Sequence, residues 1–342
     1  MSKVLNVLYQ SDDNYAPITG VSATSLMENN KDLDEINIYL LNDRISDTNL
    51  EKFENCCKHY GRNLIVLETT EIITKLKDEL HVAPWFGTYT TYFKLFAFKD
   101  LQLPTDRVLQ LDGDTIINGS LAPLCDMDLD GYLLAATYDL TRSDYKELIG
   151  IPLNDKIYNG GVLLVNQPEW IRENCEEKIT HHLKNVRSGY HTVDQDILNV
   201  LFRHKFKYLD ITYNYSCGFY IFGIKESLKI YGLKPDYYST YEEIAAAYDD
   251  PVIYHCMGQM TGRPWELNSI HPQNELYDKY MHMSPWRDYE KKYVKRDLIF
   301  RVQRILYRAL PRGIYAIFHK CGQKQYLKAR DKIVQGEIAG VK

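Results

Sequence analysis

The sequence predicts an α/β fold, with a largely parallel sheet that binds its ligands at one edge. Three observations lead there. Strand-like apolar runs alternate with helix-like segments through the first 112 residues, the pattern of repeated βα units. One run, Arg107-Val-Leu-Gln-Leu111, stops abruptly at Asp112-Gly113-Asp114. A polar cluster, Ser11-Asp-Asp-Asn-Tyr15, follows another apolar run, and sheets of this class bind ligands at the carboxyl ends of their strands.

Taken in order, residues 4–9 form the first strand and residues 11–15 a polar loop. Pro17 opens a helix reaching about residue 30, since an N-terminal turn has no use for the missing N–H. Residues 36–41 (Ile-Asn-Ile-Tyr-Leu-Leu) make the next strand. Ser46 caps a helix through about residue 60, and residues 63–67 form a third strand. A helix over residues 89–98 precedes the strand at 107–111, and further strands fall at 132–137, 161–165 and 251–254. The regular domain covers residues 1–270, and residues 271–342 form a basic helical appendage.

Composition narrows the class. The chain has 342 residues, 45% apolar and 25% charged, the mix of a water-soluble globular protein with room for a large core. Seven scattered cysteines without a C-x-x-C spacing argue against a disulfide framework and a zinc site. Met-Ser-Lys-Val-Leu-Asn enters a strand directly, no signal peptide is read there, and no run has the length of a membrane span. The cytoplasm is the expected compartment. Charge is uneven: from Arg287 onward there are 15 Lys/Arg against 5 Asp/Glu, a net +10, which leaves −15 on the rest of a chain whose total is −5.

Two carboxylates at i and i+2 on an extended segment face one side. Asp112 and Asp114 are therefore read as hard oxygen ligands for Mg²⁺ or Mn²⁺, which keep positions open for phosphate oxygens. A polar turn is the plainer alternative for such a pair.

Six segments in order resemble the retaining glycosyltransferases of family 8, which include bacterial lipopolysaccharide galactosyl- and glucosyltransferases. They are Ser11-Asp-Asp-Asn-Tyr15, Thr90-Thr-Tyr-Phe-Lys-Leu95, Leu109-Gln-Leu-Asp-Gly-Asp114, Tyr158-Asn-Gly-Gly-Val-Leu-Leu-Val-Asn166, Val193-Asp-Gln-Asp-Ile-Leu-Asn199, and His255-Cys-Met-Gly258 with Arg263-Pro-Trp265. The resemblance implies a GT-A fold, a Rossmann-like nucleotide-sugar-binding sheet with flanking helices. It implies a UDP-hexose donor, Mn²⁺ (or Mg²⁺) as cofactor, and a saccharide, glycolipid or glycoprotein acceptor.

Carried over residue by residue, the resemblance makes Asp112, Asp114 and His255 the metal ligands, with Gly113 between the aspartates. Asp12 would bond the uracil edge, Asn14 the ribose, and Tyr15 would stack on the base; an Asp/Asn turn is the structural alternative. Lys94 stands where many members carry Arg, keeping the charge over diphosphate and sugar but losing the planar fork. Asp139, Asn159, Asp194 and Gln195 match the sugar pocket. Thr192-x-x-Gln195 also reads as a capping box, and Gly160-Gly161 as a place where backbone approaches ligand. Gly258 belongs to the H-x-x-G segment. Gln259-Met-Thr-Gly262 lengthens the following loop, so the register of Arg263 as a phosphate clamp is open. Retention could proceed by front-face departure or by double displacement through Asp194 or Gln195.

In the tail, Leu298, Val302, Ile305, Leu306, Ala309 and Leu310 share one helical stripe, with Arg301, Arg304 and Arg308 beside it; Pro311 ends that helix, and Ile314, Ile317 and Phe318 begin another. Such a helix suits peripheral contact with the anionic inner face of a membrane, or docking of the stripe on the catalytic domain. Attraction of an anionic acceptor is a third use, and nucleic acid is not expected because no recognition motif accompanies the charge. A haloacid-dehalogenase-like phosphatase also uses two aspartates after a strand, but there Ile116 would fill a Thr/Val position and three strands precede Asp112. A non-catalytic nucleotide-sugar-binding protein is the other alternative.

Overall fold

In the computed structural model, which describes residues 2–85, 87–185, 190, 192–323 and 325, the early βα pattern folds as a twisted sheet. Its strands are β1 (Val4–Asp12), β2 (Glu35–Asp43), β3 (Asn63–Glu68), β4 (Arg107–Leu111), β6 (Leu134–Ala136), β7 (Val162–Asn166) and β8 (Phe206–Tyr208), in spatial order β3-β2-β1-β4-β7-β6-β8. The first four run parallel, and β7 runs antiparallel to both β4 and β6. A second sheet is made of β5 (Thr115–Ile117), β10 (Ile253–His255) and β9 (Tyr215–Ser216), with β10 central.

The central strands are apolar on both faces because both are covered. Alternate residues enter two cores: Leu8 and Val108 face one, Val7, Tyr9, Leu109 and Leu111 the other. Helix α1 (Ala16–Glu28), with Pro17 in its first turn, is buried almost throughout. Helix α2 (Asp47–Tyr60) is capped by Ser46, which accepts from Asn49 N–H, and ends at Gly61 in a left-handed conformation. The helix expected over 89–98 is a 3₁₀ helix, Thr90–Phe96. Two adjacent β-branched residues, Thr90-Thr91, favour neither a long α-helix nor an α-type start.

The strand order reverses between β1 and β4, so the carboxyl ends at Asp12 and Leu111 bound one crevice. Helix α3 (Val193–Phe202) and the second sheet close the crevice on the other sides.

Chain beyond residue 270 continues the packing. Tyr277, Tyr280 and Met281 of α4 (Asn274–Met283) are buried. Trp286 lies on α1 at Gly20, where a Cβ would overlap its ring, and meets Phe53 edge-on at 4.8 Å. The basic helix forms as α5 (Leu298–Ala309), capped by Asp297, and residues 312–323 form another. The expected stripe divides. Leu306 and Leu310 turn toward a core holding Phe222, Tyr231, Tyr307 and Tyr315, while Leu298 (72% exposed), Val302 and Ile305 (65%) face outward. Ile317 and Phe318 are exposed on the next helix. Arg304 does not stay beside the stripe: it turns inward and donates to the carbonyls of Met260 (2.8 Å) and Asn268 (2.7 Å). Residues 324 and 326–342 of the predicted appendage lie outside the described residues. Among the described residues no helix is long and apolar enough to cross a membrane.

Candidate active site

Strand β4 delivers the acidic pair. Gln110 and Asp112 share a face, and Gln110 Nε2 donates to Asp112 Oδ1 at 3.0 Å. The backbone then turns rather than staying extended: Thr115 N–H reaches Asp112 O at 3.2 Å. The turn, not i/i+2 alternation along a strand, brings the two carboxylates together. Gly113 lies against α1, where a Cβ would overlap Thr19 Oγ1. His255 enters from β10, paired opposite Thr115. Ligand atoms of Asp112, Asp114 and His255 lie within 4.8 Å of one another, and His255 Nε2 is 3.3 Å from Asp114 Oδ1. Gly161 fits between them: a Cβ there would strike the His255 ring and stand 3.0 Å from Asp112 Oδ2. Two hard carboxylate oxygens and one imidazole nitrogen, facing an open cleft, fit Mn²⁺ or Mg²⁺ with positions left for phosphate oxygens.

Cations balance the carboxylates. Lys94 is 1% exposed, yet its Nζ contacts Asp112 Oδ1 (3.0 Å), Asp194 Oδ2 (2.8 Å) and Gly160 O (2.8 Å). Burial alone would lower its pKa; the two carboxylates outweigh burial and raise it. Arg263 Nη1 pairs with Asp114 Oδ2. Burial disfavours the charged form of Asp114, but His255 and Arg263 overcome this and hold the carboxyl well below the usual range. Burial likewise works against the His255 imidazolium, and the Asp114 and Asp112 carboxylates raise its pKa despite it. The lengthened loop before Arg263 closes as a tight turn, with Gly262 N–H on Gln259 O at 3.0 Å. That turn returns Arg263 to the cleft. Gly258 makes room for it, since a Cβ there would lie 2.6 Å from Arg263 Cγ.

Two adjoining clefts share Asp112, Asp114, Arg263 and Trp85. One, of about 340 Å³, holds Asp12, Tyr15 and Gly113. Asp12 Oδ1 accepts from Tyr15 N–H at 2.8 Å, so the Asp turn is present and leaves the second carboxylate oxygen free of that bond. The Tyr15 ring meets Trp265 edge-on at 5.8 Å, and the Arg263 guanidinium lies 5.3 Å over Trp265. Asn14 stands exposed on the loop and lines neither cleft. The other cleft, of about 350 Å³, gathers Asp139, Asn159, Asp194, Gln195 and His255. Asp194 Oδ1 accepts from Thr91 Oγ1 (3.1 Å), and Gln195 Oε1 accepts from Gly160 N–H (2.9 Å). The capping box at 192–195 does not form. Thr192 directs its hydroxyl and N–H to the Asp196 carboxylate instead (3.0 and 2.9 Å). Short helices, Tyr145–Leu148, Ile224–Tyr231 and Tyr241–Ala246, fill much of the chain between the site's segments.

Two residues of the site carried no signal in the sequence. Trp85 sits in a mixed Val-Ala-Pro-Trp-Phe-Gly run that carries no motif, and Asn214 in an ordinary Thr-Tyr-Asn-Tyr run. Asn214 Oδ1 lies 3.0 Å from His255 Nδ1.

Residues 6–269 match the profile of a family described as glycosyl transferase family 8. A lipopolysaccharide 1,2-glucosyltransferase of Escherichia coli (strain K12) is 28% identical over 88% of this chain and 84% of its own. A lipopolysaccharide 1,3-galactosyltransferase of Salmonella typhimurium is 25% identical over 82% of this chain and 79% of its own. Among solved structures, the galactosyltransferase LgtC in complex with donor and acceptor sugar analogs superposes with a TM-score of 0.65 at 24% identity, covering 87% of this chain and 99% of that one. The latter likeness establishes the shared fold.

Proposed function

The chain belongs to glycosyltransferase family 8, and on that premise we propose that it moves galactose or glucose from a UDP-sugar to a saccharide, glycolipid or glycoprotein acceptor, with a divalent metal and retention at the anomeric carbon. The observation that carries this reading is the meeting of Asp112, Asp114 and His255 where the two clefts join. A bound Mn²⁺ would neutralise charge developing on the diphosphate leaving group.

The chain's own residues have complementary tasks. Tyr15 offers a ring to the uracil, and Asp12 an acceptor to its N–H. Arg263, which pairs with Asp114 Oδ2, would offer its guanidinium to the phosphates where that carboxylate serves as a metal ligand. Asp139, Asp194 and Gln195 present oxygens to sugar hydroxyls. Lys94 and Thr91 engage Asp194, and Gly160 N–H engages the Gln195 oxygen; these bonds leave lone pairs for sugar hydroxyls but lower the nucleophilicity of both groups. This favours front-face departure, in which the leaving phosphate takes the acceptor's proton.

The similar enzymes act on lipopolysaccharide, as their names state, and a lipid-linked glycan acceptor suits the tail. Helix α5 and residues 312–323 present Leu298, Ile305, Ile317 and Phe318 outward beside Arg301, Arg308 and Arg312. This face would rest on an anionic membrane surface, the inner face in a bacterial cell.

A panel of UDP-sugars with Mn²⁺, scored for UDP release without and then with acceptor glycans, tests the reading. One UDP-hexose should be hydrolysed slowly, faster with the right acceptor, and not at all in chelator. Phosphate release from simple phosphomonoesters, or UDP-sugar binding without turnover on any acceptor, would count against it.

A further inference from the structure

A chain of amide groups runs behind the metal ligands. Gly161 N–H donates to Asn159 Oδ1 (2.8 Å), and Asn159 Nδ2 donates to Asp139 Oδ1 (2.5 Å). Asn214 Nδ2 donates to the same Asn159 Oδ1 (2.7 Å), and Asn214 Oδ1 faces His255 Nδ1 at 3.0 Å. Asn159, Asn214 and His255 are all buried.

The direction of each bond is forced from one end. A backbone N–H can only donate, so the atom of Asn159 facing Gly161 must be oxygen. The Asp139 carboxylate agrees, because it needs a donor from the opposite side of that amide. With oxygen there, Asn214 must present its NH₂ to Asn159, and its remaining oxygen faces His255. The imidazole must then carry a proton on Nδ1, which makes Nε2, 3.3 Å from Asp114 Oδ1, the nitrogen available to an ion in the cleft.

We propose that Asn214 is a positioning residue which, anchored through Asn159 by Gly161 N–H and Asp139, holds His255 as the Nδ1–H tautomer and aims Nε2 at the metal. Partners of this kind fix ring orientation and strengthen the ligand, and losing one costs roughly 10–100-fold in metal affinity. The relay gives Asn159 a task beside any contact with sugar: its oxygen is fully used by Asn214 and Gly161, and one N–H is left for a hydroxyl. It also gives Gly161 two tasks, since its carbonyl accepts from Asp112 N–H (2.8 Å) while its N–H sets the relay.

The proposal rests on the metal reading of Asp112, Asp114 and His255, and the test separates the two. Mn²⁺ affinity is measured by electron paramagnetic resonance with UDP present and no sugar, so the sugar pocket does not enter. A wild type that binds no Mn²⁺ at His255 fails the metal reading itself. Asn214→Ala should bind Mn²⁺ about 10–100-fold more weakly. Asn214→Asp keeps an acceptor for Nδ1–H but opposes a second oxygen to Asn159 Oδ1. It should lose thermal stability and yet hold Mn²⁺ within a few-fold of the wild type. A residue with only a structural role would give metal affinities that follow stability. Equal loss in both variants, or wild-type affinity in Asn214→Ala, overturns the proposal. A measurement on the wild type covers the case of variants that do not fold. With ¹⁵N-histidine and the diamagnetic ion Cd²⁺, His255 should show a protonated Nδ1 and a metal-bound Nε2. Metal on Nδ1 refutes the relay.

Discussion

Replacing Lys94 by Met should make the fold depend on metal. The side chain is 1% exposed and touches two carboxylates and a carbonyl, within 3.0 Å in each case. Met preserves most of the volume and removes the charge. Stripping one partner from a buried ion pair typically costs about 3–5 kcal/mol, because the remaining charge is left without compensation. Asp112 has 31% of its side chain exposed and can rehydrate, whereas Asp194 at 12% can do so much less. The lower end, about 3 kcal/mol, is therefore expected. At about 2–4 °C per kcal/mol for a domain of this order of size, Tm should fall by about 6–12 °C in chelator. Saturating Mn²⁺ with UDP places two positive charges beside Asp112. At about 100-fold over Kd, binding adds about 2.7 kcal/mol to either protein, and more to the variant if the ion also replaces the missing lysine. The assay is thermal unfolding of both proteins in chelator and in Mn²⁺ with UDP. A fall below about 2 °C in chelator, or an equal fall in both conditions, would refute the account of Lys94 as counter-charge to these carboxylates.

Asp114→Asn should abolish sugar transfer and Mn²⁺ binding while leaving the circular dichroism spectrum unchanged; activity that survives chelator sinks the metal assignment. Tyr15→Ala should weaken UDP by about tenfold or more, because stacking on a base is worth about 1–3 kcal/mol; calorimetric titration with UDP reads this, and unchanged affinity removes Tyr15 from the nucleoside site. Burial raises the Asp196 carboxyl from 3.8 to about 6. At this group the folded protein therefore binds more protons than the unfolded one between those values, and its contribution to stability falls as pH rises from 4 to 6, by at most about 3 kcal/mol. Denaturant unfolding at pH 4 and pH 7.5 should show that Asp196→Asn gains on the wild type only at the higher pH; an equal difference at both pH values refutes the role of Asp196. For the tail, Ile299→Glu, Ile305→Glu and Phe318→Glu together alter side chains that are 69%, 65% and 57% exposed. The triple variant should fold normally and lose co-sedimentation with anionic vesicles, which the wild type should show at low salt and partly lose at high salt.

The parallel half of the sheet was legible because two-sided burial writes continuous apolar runs into β1, β2 and β4. The reversed direction of β7 was not, since a buried strand reads alike in either direction. Strands β5, β8 and β9 have only two or three residues, too few to show periodicity, and their partners lie far away in sequence. Asp112 and Asp114 stood out because charge at the end of an apolar run is costly without a purpose. The turn that joins them was hidden: it depends on Gly113 meeting Thr19, a contact across nearly a hundred residues. Asn214 was hidden for a related reason, since an amide acquires its role only from what the fold sets on either side. Lys94 could be matched to a diphosphate position but not to its burial between Asp112 and Asp194.

The seating of Trp286 on Gly20 sets an order of events at the ribosome. Helix α1 and Phe53 emerge early, but the indole that covers them is made more than two hundred residues later. At about 5–20 residues per second that interval is tens of seconds. Throughout it the first strands and helices carry an open apolar notch. A nascent chain stalled after Arg263 but short of residue 286 would hold every metal and nucleotide residue named above and still be a client for chaperones.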